Sequence, residues 1–537
     1  MMKKTIKKLL AALLAVAMVC AMAIPAFAGT EGDITTWHSF SAFQIFKGKV
    51  EGNDIKDFKI SNVEWGSNIA DDAAAFLDQL KSADTIGPLF TKANSAQDVL
   101  AVISQWNNSD ANSIAFARFV CHYLYPDANA KPKPAVEGGG GSDHIHFDEA
   151  GYYLVVDTTP FNPGDFDHAY NSFLLMVTHD NWNVPITPKA EKPSVKKEVF
   201  DNFDNQDGTS TGDFGSSADH AINEKFQFKL TATLPASTDH AYDYYDTYAV
   251  CFKDTLSEGI TYDGPDSVVI ESKGNPGNRY DITDSSTIDI SKLESQNYFE
   301  VNIHDVKACA KDAGFDLNDG ATITFTYTAH LNEKANVNIG SGSTENKNSV
   351  QLQYSNNPRP GDYWGTTPKS EVYVFTYQLN NTKRAETENG APLKDVGFCL
   401  YSDEACAHKV ELYKEGDFYF PIKDATDKKA VEEMYSDKDG KFNIKGLDAG
   451  TYYLKETTPP KDYNACADKE IVISATHDVN HVSLSGNLST TIINKKAGGI
   501  TLPSTGGIGT TIFYVVGGGL MVAAIVLLVT KKRMENK

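Results

Sequence analysis

Cysteine is scarce in this chain, with 7 residues among 537. The six that lie beyond the N-terminal segment are widely spaced: Cys121, Cys251, Cys309, Cys399, Cys406 and Cys466. So few cysteines exclude a disulfide scaffold for a protein of this length. Cys399 and Cys406 are close enough in sequence to close a short loop, and Cys466 is a rival partner, so that pairing stays open. Any covalent cross-links that reinforce the whole fold would therefore have to be bonds other than disulfides.

Basic residues are also in the minority, because 49 Lys and Arg face 71 Asp and Glu, giving a net charge of −22. Nucleic acids bind proteins through a basic surface, so this balance argues against nucleic acid as a partner. The hydrophobic fraction of 41% is enough for packed cores and excludes a mainly disordered chain. The length predicts about three or four domains of roughly 100–200 residues each.

Signatures of catalysis and metal binding are missing. The sequence has no G-x-S-x-G, no Cys/His arrangement typical of an activated nucleophile and no metal-binding motif. His144 and His146 would lie on one face of a strand, but no second pair of ligands accompanies them. We therefore predict no metal and no cofactor, and the absent motifs argue against a secreted hydrolase or any other enzyme with turnover.

Long uncharged apolar runs occur only near the two ends of the chain. At the N-terminus, several lysines precede an apolar run that begins at Leu9 and leads to Ala26-Phe27-Ala28. This is the pattern of a signal peptide over residues 1–28, with the mature chain beginning near Gly29.

At the other end, residues 510–530 carry no charge, and about 20 apolar residues suffice to cross a bilayer as a helix. A basic tail, residues 531–537, follows at once and is expected to stay on the cytoplasmic side. An N-terminal export signal followed by a C-terminal membrane span predicts that the chain between them lies outside the cell.

Strand patterns dominate after residue 130. Polar residues alternate with β-branched or aromatic ones over 151–157, 225–233, 322–331, 349–354 and 371–379. Gly, Asn, Asp and Pro turns separate these stretches, which predicts an all-β fold of tandem antiparallel sandwiches. Residues 70–126 are more helical, with helices expected over 72–80 and 96–106, so the first domain gains some added helix.

Proline-rich breaks divide the exported part of the chain. One break covers residues 185–193 (PITPKAEKP) and another begins at residues 357–361 (NPRPG), where proline resists regular structure. They predict three modules, and these modules are followed by a short region ahead of the membrane span. The expected bounds are 29–190, 191–368 and 369–497 for the modules and 498–509 for the short region.

The pentapeptide Leu502-Pro503-Ser504-Thr505-Gly506 stands just before the membrane span. It resembles the LPXTG sorting signal of Gram-positive surface proteins at every fixed position, and its proline and flanking glycines keep it extended and accessible. The resemblance implies that a sortase cleaves between Thr505 and Gly506 and holds Thr505 as a thioester. Behind a signal peptide, it predicts an exported protein that is anchored to the peptidoglycan of the cell wall.

The amine that would accept this acyl group is suggested by residues 182–189 (WNVPITPK). This segment resembles the pilin motif of sortase-assembled pili, which ends in Pro-Lys at the end of the N-terminal domain. The spacing after Trp182 is shorter than usual, and Thr187 stands in place of a tyrosine. The resemblance implies Lys189 as the acceptor, with Lys192 as the open alternative.

A third motif lies in the last module, where residues 452–463 (YYLKETTPPKDY) resemble the pilin E-box, YxLxETxAPxGY, with Asp462 in place of glycine. Alternation along a strand puts Tyr452, Leu454 and Glu456 on one face. If that face is the core, burial is expected to raise the pKa of the Glu456 carboxyl and keep it protonated.

In the family that it resembles, such an acid catalyses an intramolecular isopeptide bond between a lysine and an asparagine. The resemblance, to a collagen-adhesin B-type immunoglobulin-like domain, implies Lys383 on the first strand and Asn494 on the last strand as the two partners. Desolvation would free the lysine amine to act as a nucleophile, and the neutral Glu456 would polarise the amide and shuttle protons.

The middle module resembles a collagen-adhesin A-type domain with different residues. Its first strand contains Lys197, with Lys196 as the open alternative. The segment FKDTL resembles the one that contains the catalytic acid, here Asp254, and the segment that begins at Asn348 resembles the strand of the amide partner. A Lys197–Asn348 bond catalysed by Asp254 is therefore implied. The first module offers no comparable trio.

Together these resemblances imply a sortase-assembled major pilin, the shaft subunit of a covalent pilus that internal isopeptide bonds stiffen. Its expected partners are a pilus-specific sortase, identical subunits, accessory pilins and peptidoglycan, with a host surface ligand left open. The alternative is a wall-anchored adhesin or accessory pilin that binds a host ligand and sits singly or at the base or tip of a fibre.

Overall fold

A computed structural model describes residues 16–17, 39–51, 59–106, 110–137, 144–158, 174–178, 180, 182–185, 192–202, 212–238, 240–342, 345–360, 364–478, 481–485 and 488–497. The chain divides into two compact units. Of the described residues, the first unit comprises those up to Tyr377 with the short segments Lys423–Ala425 and 475–484, and the second unit comprises the others.

The N-terminal part of the first unit is a sheet covered by helices. Its strands are β1 (Val16–Ala17), β2 (Phe40–Glu51), β3 (Lys59–Trp65), β4 (Val136–Glu137), β5 (His144–Phe147), β6 (Gly151–Asp157), β7 (Leu174–Thr178) and β8 (Trp182–Pro185). Its helices are α1 (Ala73–Ser82), α2 (Gly87–Phe90), α3 (Ala96–Ile103) and α4 (Ala111–Leu124). The sheet has the order β1-β3-β2-β6-β7 with β4 beside β2, and β5 pairs separately with β8.

Apolar side chains from both layers form one core. Phe43 and Leu154 from the sheet and Phe76, Leu100 and Phe116 from the helices are all buried in it. The helices predicted over 72–80 and 96–106 are present, although the second ends at Ile103. The longest described helix of this part, α4, had no individual prediction, although its buried residues Ile114, Ala117, Cys121 and Leu124 recur at helical spacing.

The rest of the first unit is a two-sheet sandwich. Its strands are β9 (Ser194–Asp201), β10 (Asp213–Gly215), β11 (Ser217–Asp219), β12 (Lys225–Leu234), β13 (Val250–Leu256), β14 (Ile260–Ser272), β15 (Arg279–Asp281), β16 (Ser286–Asp289), β17 (Tyr298–Ile303), β18 (Ala321–Leu331), β19 (Asn346–Ser355), β20 (Trp364–Thr366) and β21 (Ser370–Phe375), with the helices α5 (Leu293–Gln296) and α6 (Val306–Asp312). One sheet has the order β10-β9-β12-β18-β14-β15, and the other has the order β11-β21-β19-β13-β17-β16 with β20 beside β19. Residues alternate between buried and half-buried along the whole of β18, as a strand with one face in the core requires.

The last sandwich is built from β22 (Tyr377–Ala385), β23 (Gly397–Tyr401), β24 (Leu412–Glu415), β25 (Phe418–Pro421), β26 (Met434–Tyr435), β27 (Asn443–Leu447), β28 (Gly450–Thr458), β29 (Lys469–Asp478), β30 (His481–Ser485) and β31 (Ser489–Asn494). Its sheets have the orders β24-β25-β27-β22-β31 and β26-β23-β28-β29-β30. The prediction of an all-β fold with tandem sandwiches is confirmed.

One predicted strand is divided in the structure. The stretch 371–379 reads as a single strand, but β21 ends at Phe375 in the middle sandwich and β22 begins at Tyr377 in the last one. The predicted membrane span and the signal peptide, apart from Val16–Ala17, lie outside the described residues. Among the helices that are described, none is long and apolar enough to cross a membrane.

Candidate functional site

The middle sandwich buries a lysine from its first strand. Along β9, Lys197 is buried whereas its neighbour Lys196 is exposed and forms an ion pair with Glu198 at 2.7 Å. Because successive side chains of a strand point to opposite faces, only one of the two lysines can enter the core. The structure therefore places Lys197, and not the alternative Lys196, inside the sandwich.

The predicted acid and amide approach Lys197 from the opposite sheet. Asp254 on β13 lies opposite Val350 on β19, and Asn348 lies two residues away on the same strand, so both side chains share one face. Asp254 and Asn348 are fully buried. The Lys197 ammonium donates a hydrogen bond to Oδ2 of Asp254. The three residues thus meet between the two sheets.

Aromatic rings exclude water from this site. Lys197 Nζ lies 5.0 Å from the centroid of the Phe228 ring and 5.2 Å from that of Tyr327. Burial lowers the pKa of Lys197 to about 8, although the Asp254 carboxylate opposes that shift. Burial also raises the pKa of Asp254, against the effect of Lys197. Both shifts favour the uncharged forms of the amine and the acid, as the sequence predicts.

This site contains a fourth polar group that was not predicted from the sequence, the hydroxyl of Tyr327. It accepts hydrogen bonds from Lys197 Nζ at 3.1 Å and from Asn348 Nδ2 at 2.5 Å, and it donates one to Asp254 Oδ1 at 3.3 Å. A sequence signal did exist, because Tyr327 is the one polar side chain on the inward face of β18. Aromatic residues are so common in strands that this signal alone did not single it out.

The last sandwich holds a second set of the same kind, but here the amide lies in the same sheet as the lysine. Lys383 on β22 and Asn494 on β31 lie on neighbouring parallel strands, where Lys383 is opposite Ile492 and Ala385 is opposite Asn494. Glu456 reaches them from β28 of the facing sheet, where it alternates inward with Tyr452 and Leu454 as predicted.

Hydrogen bonds link all three side chains of this second site. Lys383 Nζ donates to Glu456 Oε2 at 3.0 Å and also to Asn494 Oδ1, and Asn494 Nδ2 donates to Glu456 Oε1 at 2.6 Å. Lys383 and Asn494 are at most 1% exposed and Glu456 is 7% exposed. The carboxyl therefore touches both the amine and the amide nitrogen that an isopeptide reaction would expel.

The expected rise in the pKa of Glu456 is wrong for this arrangement. Burial acts in that direction, but hydrogen bonds with the side chains of Cys466, Asn494 and Lys383 outweigh it and hold the pKa of Glu456 below its ordinary value. The Cys466 amide also donates to Glu456 Oε2 at 3.2 Å. The Cys466 amide comes from the loop after β28, ten residues beyond Glu456, so alternation along the strand gives no sign of it. Glu456 therefore faces Lys383 as a carboxylate.

The two sites should respond differently to acid. In the middle sandwich, the raised pKa of Asp254 and the Lys197 pKa of about 8 leave the pair with one shared proton between those two values. Below the pKa of Asp254 both groups are protonated, so the amine stays charged. Above about pH 8 both groups are deprotonated, so no neutral acid remains. The lowered pKa of Glu456 extends the same window to lower pH in the last sandwich. If these side chains form isopeptide bonds, we expect acidification of the refolding buffer to slow the Lys197–Asn348 bond at a higher pH than the Lys383–Asn494 bond, as measured by peptide mapping over time. An equal loss of both rates on acidification would contradict this assignment.

Other predicted residues fall outside these two sites. Lys189 and the sorting signal, Leu502 to Gly506, lie outside the described residues. The start of the pilin-like motif is described as β8, and it pairs with β5, where His146 Nδ1 lies 2.8 Å from Asn183 Oδ1. Cys399, Cys406 and Cys466 are all free thiols, so neither disulfide that the sequence left open is formed.

Two known families match parts of the chain. Residues 379–487 match the SpaA family, described as a prealbumin-like fold domain, and residues 494–536 match the LPXTG cell wall anchor motif. The anchor match confirms the prediction of an exported protein that is attached to the cell wall. With the prealbumin-like domain, it also confirms the resemblance to sortase-assembled pilins of Gram-positive bacteria.

Solved pilin structures are similar to this chain at low identity. The T6 backbone pilin of Streptococcus pyogenes serotype M6 is 16% identical, with 88% of this chain and 100% of that chain covered and a TM-score of 0.47. The full-length major pilin SpaD of Corynebacterium diphtheriae is 20% identical, with 70% and 88% covered and a TM-score of 0.39. A 35 kDa C-terminal fragment of the major pilin GBS80 of Streptococcus agalactiae is 21% identical, with 57% and 100% covered and a TM-score of 0.40. A search of curated proteins found no match.

Proposed function

We propose that this chain is the shaft subunit of a covalent surface pilus, in which Thr505 of one subunit is joined to Lys189 of the next. The observation that carries the proposal is the pair of buried Lys–carboxylate–Asn sets in a wall-anchored protein. A buried ion pair contributes little net stability, because desolvation offsets the attraction between the charges. Two such pairs, each beside a buried asparagine, are better explained as the reactants of isopeptide bonds.

The internal reaction expels one ammonia per bond. Proton transfer from the lysine to the carboxylate along their hydrogen bond gives a neutral amine and a neutral acid. The amine attacks Cγ of the asparagine, so that a C–N bond forms, and the bond from Cγ to Nδ2 then breaks. The acid protonates the departing nitrogen and receives a proton from the attacking one, so that the acid is regenerated.

The joining reaction uses the sorting signal. A sortase thiolate attacks the carbonyl of Thr505 and releases the segment that begins at Gly506. The uncharged amine of Lys189 then attacks the thioester, an amide forms, and the sortase thiol is released. When the finished fibre is attached to the wall, an amine of peptidoglycan attacks the Thr505 thioester in place of Lys189. In this proposal residues 29–190 form the acceptor module. The two linked modules, predicted over 191–368 and 369–497, divide at Thr376 instead, because β21 belongs to the middle sandwich.

The mass of the exported fragment tests the internal chemistry. Two bonds predict a mass about 34 Da below the value calculated from the sequence, because each expelled ammonia removes about 17 Da. Lys197→Met should restore one ammonia, whereas the matched change at the exposed neighbour, Lys196→Met, should leave the loss unchanged. A wild-type fragment at its full calculated mass would contradict both crosslinks.

Cell-wall extracts test the role in the fibre. A shaft subunit gives a ladder of covalent multimers that survives boiling in SDS, with rungs spaced by one subunit mass and each junction traceable to a Thr505–Lys189 peptide. The alternative, an adhesin or accessory pilin, has the same wall anchor but would appear as a single species or as one copy per polymer. That result would overturn the shaft assignment.

A further inference from the structure

The Tyr327 hydroxyl lies between all three members of the middle site. Tyr327 is fully buried on β18, in the sheet that also contains Lys197. A phenol offers one donor and two acceptor positions, and here all three are used. The hydroxyl donates to Asp254 and accepts from Lys197 and Asn348.

Asn348 depends on this hydroxyl. Its Nδ2 donates to Tyr327 at 2.5 Å, and its buried Oδ1 has no hydrogen-bond partner within the described residues. In the last sandwich the corresponding amide nitrogen of Asn494 contacts the acid directly, at 2.6 Å from Glu456 Oε1. The side chain of aspartate is one methylene shorter than that of glutamate. Among the described hydrogen bonds, Asp254 is connected to Asn348 only through the Tyr327 hydroxyl, which bonds to both.

We propose that Tyr327 is a catalytic residue for the Lys197–Asn348 bond and relays the proton from Asp254 to the departing nitrogen. This inference rests on the proposed isopeptide chemistry. In the step, the Asp254 acid gives its proton to the Tyr327 oxygen while the phenol gives its own to Nδ2 of Asn348. The bond from Cγ to Nδ2 breaks, ammonia leaves, and the attacking Lys197 nitrogen returns a proton to Asp254. No heavy atom of this relay has to move, because Tyr327 Oη already lies within hydrogen-bond distance of both Asp254 and Asn348. Only the hydroxyl hydrogen turns, from Asp254 towards Asn348.

Replacing Tyr327 with phenylalanine tests the relay. Tyr327→Phe keeps the ring and removes the hydroxyl, and the loss of a general acid typically slows a reaction by roughly 100-fold or more. We expect chains refolded from inclusion bodies to form the first bond about 100-fold more slowly, as followed by peptide mapping. The Lys383–Asn494 bond, which does not use Tyr327, should form at its wild-type rate in the same molecules.

Tyr262 supplies a matched control. Its ring centroid lies 5.3 Å from that of Tyr327, and its buried hydroxyl has no hydrogen-bond partner among the described residues. Tyr262→Phe removes a phenolic oxygen from the same core and should leave the bond at its wild-type rate. A Tyr327→Phe variant that forms the first bond as fast as Tyr262→Phe would overturn the relay.

Two further measurements distinguish loss of the relay from failure to fold and from failure of the proposed isopeptide chemistry. Near-ultraviolet circular dichroism shows whether Tyr327→Phe folds. If it does not, 3-fluorotyrosine at position 327 keeps the hydroxyl but makes it more acidic, and it should change the rate of the first bond while the Lys383–Asn494 bond keeps its wild-type rate. An unchanged rate of the first bond would count against the relay. A wild-type chain without the first bond would instead refute the proposed isopeptide chemistry itself.

Discussion

Replacing Lys189 with alanine is expected to remove every covalent multimer of this chain from SDS-treated cell-wall extracts. The sortase would still cleave after Thr505, because the sorting signal is intact, but the thioester would lack its amine from the next subunit. Monomers would then pass to peptidoglycan and stay attached to the wall. Immunoblots of wall extracts, with the secreted fraction probed in parallel, measure the result.

Lys192 is the matched control for this experiment, because it is a second lysine three positions further on. Lys192→Ala should leave the ladder intact. If the ladder is lost in Lys192→Ala and kept in Lys189→Ala, the acceptor is Lys192. A ladder that persists in both single variants and in the double variant would show that neither lysine joins the subunits.

Replacing Glu456 with glutamine is expected to abolish the Lys383–Asn494 bond and leave the exported fragment one ammonia heavier than the wild type. Glutamine keeps the shape of the side chain but cannot accept the lysine proton. It also leaves the buried Lys383 without its anion, and breaking a buried pair costs about 3–5 kcal/mol. The lost crosslink adds about 2–4 kcal/mol by analogy with a disulfide. The midpoint of thermal unfolding of the last sandwich should fall by on the order of 20 °C, as measured by calorimetry.

Two variants separate the contributions to that loss. Lys383→Met with Glu456→Gln also lacks the bond but buries no uncompensated charge, so it should recover part of the stability. Glu470→Gln changes an exposed glutamate on the neighbouring strand β29 and should keep both the bond and the unfolding midpoint. A Glu456→Gln fragment that still loses two ammonias would remove Glu456 from the mechanism.

The sequence predicted the inward face of each strand well, because a two-residue period is enough to define it. Alternation placed Tyr452, Leu454 and Glu456 on one face, and the structure confirms that face as the core. The same rule resolves Lys197 from Lys196 once the phase of β9 is known, although the sequence left both open. The family motifs then supplied the partners, Asn348 and Asn494, which lie far from these lysines in the chain.

What the sequence could not supply depends on groups that meet only in three dimensions. Tyr327 enters the middle site from a strand that no motif marks, and the amide of Cys466 reaches Glu456 from a loop. The side chain of Cys466, from the same loop, helps to reverse the expected pKa shift of Glu456. The division of the stretch 371–379 at Thr376 is equally invisible, because both halves have the same alternating pattern.

The parallel pairing of β22 with β31 has one more consequence. These strands are the first and last of their sandwich, so Lys383 and Asn494 become neighbours only after everything between them has been arranged. An amide formed there is a permanent record that the molecule was once native. Later unfolding would not erase it, and a chain that never folded would not carry it. In mass spectra of old and new pili, the fraction of subunits that lack one ammonia from this site would then equal the fraction that ever completed the fold.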